Sequence, residues 1–282
     1  MSVEGKHAGP PLAGVIGWPI SHSRSPILHG HWLRRYGIGG FYVPVALAPE
    51  TFAEGLRALR TVGFVGANVT VPHKEAALAL ASAITPRAAR VGAANTLTFL
   101  PDGGLHADNT DVHGFLANLR QGAPGWSATA GPALVLGAGG AARAIVAGLI
   151  EEGCPEVRIA NRTRDRADRL ADHFAGRLTV VDWGFASAAM DGARTIVNTT
   201  VLGMAGQADL DVQLDAAPAD AVVNDIVYVP LETPLLRAAR RRGLTAVDGL
   251  GMLLHQAAPG FERWFGTKPA VDEDLRRAVL GA

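Results

Sequence analysis

One cysteine, Cys154, stands in a chain of 282 residues, which excludes an internal disulfide and any metal site built from several thiolates. An excess of either charge is missing as well. Lys plus Arg and Asp plus Glu both number 26, so no basic field gathers nucleic acid or an anionic membrane, and neither partner is expected. An anionic ligand has to be recognised locally. The longest uncharged stretch, Gln121 to Ala142, is broken by Gly, Pro and Gln and does not read as a membrane span. Residues 1–10, MSVEGKHAGP, lack the apolar core of a signal peptide, so a cytoplasmic location is expected. Nine histidines are present, His29 and His31 being the closest pair, but no HExxH-type spacing occurs and no metal is expected.

What is there is apolar pattern: 48% of the residues are hydrophobic and 18% charged, enough to bury a large core in two domains. Strand-like runs alternate with helical ones throughout, the mark of an α/β protein with mainly parallel sheets. In the first half LAGVIG, FYVPVAL and FVGANVTV read as strands, and PILHGHWLRRYG and PETFAEGLRALRTVG as helices. ANTLTFL and LHAD flank the turn-rich Pro101-Asp102-Gly103-Gly104 and predict a hairpin. Gln121 to Gly131 is linker-like in composition, which puts a boundary near residues 112–130. Beyond it, PALVLGAGGAARAIVAGLIEEG, EVRIANRT, LTVVD, TIVNTT, AVVNDIVY and LTAVDG predict a doubly wound, Rossmann-like nucleotide-binding domain. The predicted division is a substrate domain at 1–112, a nucleotide domain at 113–248, and C-terminal helices at 249–282 that return to the first domain.

The sharpest local signal is ALVLGAGGAARAIVAGL, an apolar strand entering Gly137-Ala138-Gly139-Gly140-Ala141-Ala142 and then a helix. It fits the dinucleotide fingerprint in its required context. Gly137 permits the tight turn, Gly139 lets a pyrophosphate approach the backbone, and Ala142 lets helix and strand lie close. The free N–H groups of the helix start face the phosphates. The next strand, VRIA, ends in Asn161-Arg162-Thr163, where an NAD site carries an acidic residue for the ribose 2′-hydroxyl. A guanidinium there, with Arg166 one helical turn on, suits a 2′-phosphate and favours NADP. A solvated cationic helix start is the competing reading of this arginine cluster.

Polar clusters fall at predicted strand ends in the first half: Ser21 to Pro26, Asn68 to Lys74, and Asn95 with Asp111. Ligands of open α/β sheets gather at such ends. With GWPISHSRSPILHG, GANVTVPHKEAAL, GAANTL, DNTD, GAGGAARA, NRT and DGLGMLLHQA in this order, nearly the whole chain resembles the shikimate dehydrogenase family.

The resemblance implies NADP-dependent reduction of 3-dehydroshikimate to shikimate, on the way to chorismate and the aromatic amino acids. It implies Lys74 and Asp111 as the catalytic pair, the lysine as general acid/base at the carbonyl that accepts hydride. Ketone reduction puts negative charge on oxygen, which an ammonium stabilises and protonates. The aspartate is implied to bond the substrate hydroxyl and to orient the lysine; alone, it also reads as the N-cap of VHGFLANLR. Val112-His113 follow it where many family members have Gly. Ser23 and Ser25 are implied to hold the carboxylate, helped by Tyr228, though Ser25-Pro26 also reads as a helix cap. Asn68, Thr70, Asn95 and Gln256 are implied to bond the ring hydroxyls. Asn95 alternatively forms a turn and Gln256 a helix surface. Gly137, Ala138, Gly139, Gly140, Ala141, Asn161, Arg162, Thr163, Arg166, Thr199, Met204 and Gly249 are implied to bind NADP. Met204 and Met252 also read as core filler. A shikimate/quinate dehydrogenase and a catalytically silent protein on the same fold are the competing functions. A homodimer is the assembly considered, although the sequence does not fix it.

Overall fold

The computed structural model describes residues 9–281. They form two compact units, one running to Thr110 and resuming at Leu254, the other spanning Asp111–Leu253.

The first unit begins with β1 (Leu12–Gly17), α1 (Ser25–Arg35), β2 (Phe41–Ala46), α2 (Phe52–Thr61), β3 (Phe64–Val69) and α3 (Lys74–Ala79). It continues with β4 (Ala83–Ile84), α4 (Pro86–Val91), β5 (Thr96–Phe99) and β6 (Leu105–Asp108). The sheet order is β2-β1-β3-β5-β6-β4. β1 pairs in parallel with β2 and β3, whereas β5 runs antiparallel to β3 and β6, forming the expected hairpin. Because side chains alternate across a strand, the two faces bury different sets. On one, Ile16, Ala67, Val69 and Leu97 pack with Phe52 and Leu56 of α2 and Ala77 of α3. The other carries aromatic rings: Tyr42 of β2 meets His29 of α1, and Trp32, Phe261 and Trp264 lie around them.

Phe261 and Trp264 belong to α9 (residues 250–265, introduced below), which the chain reaches last but for α10. Trp264 Nε1 donates to the Leu97 carbonyl (3.0 Å), and it can sit there because Gly66 beneath it has no Cβ.

Two predicted caps are corrected. Arg24 occupies the N-cap of α1 with no side-chain bond, while Ser25 is its first helical residue and Pro26 follows. Asp111 is likewise the first residue of a helix.

The second unit holds α5 (Asp111–Gly122), β7 (Ala133–Leu136), α6 (Gly140–Glu151), β8 (Val157–Ala160), α7 (Arg164–His173) and β9 (Leu178–Val181). Then come β10 (Thr195–Asn198), β11 (Val222–Asp225), α8 (Pro234–Arg241), β12 (Thr245–Val247), and α9 (Leu250–Phe265), which crosses into the first unit ahead of α10 (Glu273–Leu280). The order β12-β11-β10-β7-β8-β9 is parallel at every pair. Counted from β7 this is the doubly wound 3-2-1-4-5-6 arrangement, whose ligand crevice opens where the order reverses, between β7 and β10. No helix joins β10 to β11; the Gly- and Asp-bearing segment between them is irregular. The linker-like stretch 121–131 lies inside this unit: Trp126 Nε1 donates to Thr195 Oγ1 (2.9 Å). Among the described residues no helix is long and apolar enough to cross a membrane.

Candidate active site

In the first unit Asn68 and Asn95, at or beside strand ends, share a hydrogen-bond network with Gln256 of α9. Asn68, near the end of β3, is 5% exposed; its Nδ2 donates to the Asn95 carbonyl and Thr96 Oγ1, both at 3.2 Å. Asn95 Nδ2 donates to Thr110 Oγ1 (3.0 Å) and to Gln256 Oε1 (2.9 Å), and its Oδ1 accepts from the Thr110 backbone N–H (2.7 Å). Thr110 Oγ1 donates to the Gln256 carbonyl (2.8 Å). Asn68, Asn95 and Gln256 are thus brought together, from three elements far apart in sequence. Asn95 is a buried hub rather than a free turn residue, and Gln256 is partly buried rather than on an open helix surface.

Lys74 opens α3, and its carbonyl accepts from Ala94 N–H (2.9 Å), so the lysine backbone is tied to the loop that carries Asn95. Its residue is partly exposed. Thr70 sits just beyond β3, its N–H bonded to the Ile16 carbonyl (2.9 Å) and its carbonyl to His73 N–H (3.0 Å). Ser23 precedes α1, where its Oγ accepts from Ser25 N–H (3.3 Å), a local turn leading into the helix. Cis X-Pro bonds at Trp18-Pro19, Val71-Pro72 and Val229-Pro230 lie in the loops after β1, β3 and β11.

In the second unit the glycine fingerprint has the geometry its residue types require. Gly137 adopts φ +109°, and a Cβ there would meet Thr199 Oγ1 at 2.5 Å. Thr199 Oγ1 donates to the Leu136 carbonyl (2.7 Å), so the ends of β7 and β10 touch at the switch point. Gly139 is exposed, and a Cβ on it would meet no protein atom within 4 Å, which leaves its backbone approachable by a ligand. Ala138, Gly140 and Ala141 flank it, partly buried, at the start of α6. Ala142 is fully buried.

After β8, Asn161 Nδ2 donates to the Thr163 carbonyl (2.7 Å), shaping the turn from which Arg162 projects. Arg164 is neutralised by Asp168 and Asp182, whereas Arg162 and Arg166 are exposed and form no ion pair among the described residues. Two uncommitted guanidinium groups therefore remain beside the fingerprint strand's neighbour, suited to a doubly charged phosphate.

Asp225, at the end of β11, escaped the sequence reading. It is fully buried; Oδ1 accepts from Asn198 Nδ2 (2.9 Å) and Val227 N–H (3.0 Å), and Oδ2 from Thr233 Oγ1 (2.7 Å). Burial, offset in part by these three donors, pushes its pKa from 3.8 up to about 6. Asn198 Oδ1 in turn accepts from the N–H and hydroxyl of Thr200. Ala205 N–H donates to the Val229 carbonyl (2.9 Å), setting the Met204 loop against the loop that carries Tyr228. Gly249 lies where a Cβ would strike the Ile226 carbonyl, so only glycine fits that approach. An acid closing an apolar strand, as in VVND, was the available signal for this hub.

Comparison with known proteins follows the same division. Residues 15–97 match the family described as shikimate dehydrogenase substrate binding domain, 125–200 shikimate / quinate 5-dehydrogenase, and 249–279 the shikimate 5′-dehydrogenase C-terminal domain. The chain is 62% identical over 275 residues to the shikimate dehydrogenase (NADP(+)) of Paracoccus denitrificans, covering 98% of this chain and 97% of that protein. It is 59% identical to that of Cereibacter sphaeroides, covering 98% and 99%. A crystal structure of shikimate 5-dehydrogenase from Thermus thermophilus in complex with NADP(H) and shikimate is similar at a TM-score of 0.84 and 38% identity, covering 96% of this chain and 99% of that one. Quinate dehydrogenase from Corynebacterium glutamicum, in complex with NAD, reaches 0.89 at 29% identity, covering 97% and 100%. With its sheet orders, its fingerprint turn and these full-length matches together, the chain belongs to the shikimate dehydrogenase family.

Proposed function

We propose that the protein is an NADP-dependent shikimate dehydrogenase that reversibly reduces 3-dehydroshikimate to shikimate, serving chorismate and aromatic amino acid biosynthesis. The observation that carries this is the 62% identity over nearly full length to an enzyme of that name. NADPH supplies the hydride. The backbone N–H groups at the start of α6, with Gly137, Ala138, Gly139, Gly140 and Ala141, would hold its phosphates. Asn161, Arg162, Thr163 and Arg166 would take the 2′-phosphate, and Thr199, Met204 and Gly249 the nicotinamide end.

The substrate carboxylate would be bound by Ser23, Ser25 and Tyr228, and the ring hydroxyls by Asn68, Thr70, Asn95 and Gln256. A polyol needs such an array, because a polar site left unpaired by the wrong ligand rejects it strongly. Lys74 would stabilise the charge developing on the carbonyl oxygen and deliver its proton. Asp111 would accept from the adjacent hydroxyl. Of these, Ser23, Ser25, Asn68, Thr70, Lys74, Asn95 and Gln256 belong to the unit completed by Leu254 onward, and the cofactor residues to the unit Asp111–Leu253. A cytoplasmic location belongs to the same proposal, as does assembly into a homodimer, which light scattering tests.

The deciding experiment follows NADPH oxidation on addition of 3-dehydroshikimate, with NADH and quinate run in parallel. NADPH-specific turnover that falls about 10²- to 10⁴-fold in Lys74→Ala is expected. Preference for quinate with NAD would transfer the chain to the quinate-oxidising branch, and binding without turnover would make it a silent ligand-binding protein.

A further inference from the structure

Tyr42 was read as one apolar residue of a strand, yet its hydroxyl donates to Asn68 Oδ1 at 2.7 Å in the interior. β1 lies between the two strands: Tyr42 is registered with Ala13, Ala13 with Gly66, and Val15 with Asn68. The phenol reaches across β1 because the residue on its own rung is a fully buried alanine. The His29 ring stacks flat on it, centroids 3.8 Å apart and planes 5° from parallel, and this fixes the ring's plane.

The direction of each bond can be assigned. Asn68 Nδ2 faces the Asn95 carbonyl, which only accepts, so Oδ1 must face Tyr42, and the phenol must donate. Burial holds the phenol's pKa well above 10, so the proton stays on it. With Nδ2 committed to Asn95 and Thr96, what Asn68 retains for a ligand is acceptor capacity on Oδ1.

We propose that Tyr42 is a positioning residue for substrate recognition: it holds Asn68 through the phenol and fixes the Asn68 amide so that its oxygen accepts from a ring hydroxyl. The proposal rests on the reading of Asn68 as a substrate contact given above. Tyr42 itself need not touch the substrate; it acts through Asn68.

The test is steady-state kinetics of the full-length enzyme with shikimate and NADP⁺ for Tyr42→Phe, Asn68→Ala and the double variant. Phe keeps the ring and its stack and removes only the donor. KM for shikimate is expected to rise about tenfold in Tyr42→Phe, the size of one neutral hydrogen bond. KM for NADP⁺ is expected to be unchanged, which general loosening of the fold would not spare. The double variant should be no worse than Asn68→Ala, since the phenol acts through that amide. A Tyr42→Phe enzyme with unaltered KM for shikimate beside a defective Asn68→Ala would overturn the positioning role and leave the substrate reading standing. Additive losses would overturn it too. An Asn68→Ala enzyme with unaltered KM for shikimate would remove the substrate reading of Asn68, and the positioning role with it.

Discussion

Asp225 and His29 are buried titratable side chains whose surroundings push them in opposite directions. The folded Asp225 carboxyl titrates at about 6 against 3.8. Between those values the folded chain keeps a proton that the unfolded chain has released, so this group favours folding below the window and its contribution is lost as pH rises through it. For His29, burial, only partly offset by the nearby Asn68 amide, lowers the pKa from 6.5 to about 3. The unfolded chain takes the proton first, so its contribution is present above pH 6.5 and is lost as pH falls toward 3. The drop at His29 exceeds the rise at Asp225, and acid is therefore expected to destabilise this pair on balance. Urea midpoints at pH 7 and pH 5 check this: His29→Leu should lose less stability on acidification than the parent, and Asp225→Asn more. A further residue-scale expectation concerns Arg162, which is exposed and unpaired. Arg162→Ala should lower the NADPH-to-NADH ratio of kcat/KM about 10- to 100-fold, the worth of a charged hydrogen bond. An unchanged ratio would leave the arginine a surface residue.

Among the elements, β3 lies inside its sheet, parallel to β1 and antiparallel to β5. Gly66 within it lies under the Trp264 indole and beside the Leu97 carbonyl. Gly66→Ala has to displace both of them and should cost about 1–3 kcal/mol, read as a lowered thermal midpoint. In α10, Asp272 accepts from Leu275 N–H (3.0 Å) as N-cap and also binds Arg35 (2.7 Å). Asp272→Ala is expected to cost about 1 kcal/mol, mostly from the cap, since the ion pair is part-exposed. The long strands and helices were legible because their apolar spacing is regular, and Pro101-Asp102-Gly103-Gly104 announced its hairpin. β4 and α4 were not, because two residues of strand and six of helix carry no period. Their cues were only a capping Thr85, which accepts from Ala88 N–H (3.1 Å), Pro86, and Gly92 at φ +71°.

For the molecule as a whole, the two α/β sheets and the fingerprint turn followed from the sequence. The division expected from the sequence, 1–112, 113–248 and 249–282, stands beside units that part at Thr110 and Asp111 and again within α9, while the linker-like 121–131 falls inside the second unit. A helix gives no compositional sign of leaving one unit for another, and Gly, Pro and Ser serve tight turns as readily as linkers. The polar network was legible residue by residue through the motifs. Its internal bonding was not, because Tyr42 and Asn68, or Asn95 and Gln256, meet only after strands far apart in sequence have paired.

The first unit draws its material from both ends of the described chain, and this sets an order of events at the ribosome. Asp111–Leu253 has been synthesised before Phe261 and Trp264 exist, so the middle of the chain is free to fold while the earlier sheet still lacks its aromatic cover. During that interval Trp32 and Tyr42 have no roof. A released chain cut after Leu253 should present one finished unit and one adhesive half-built sheet.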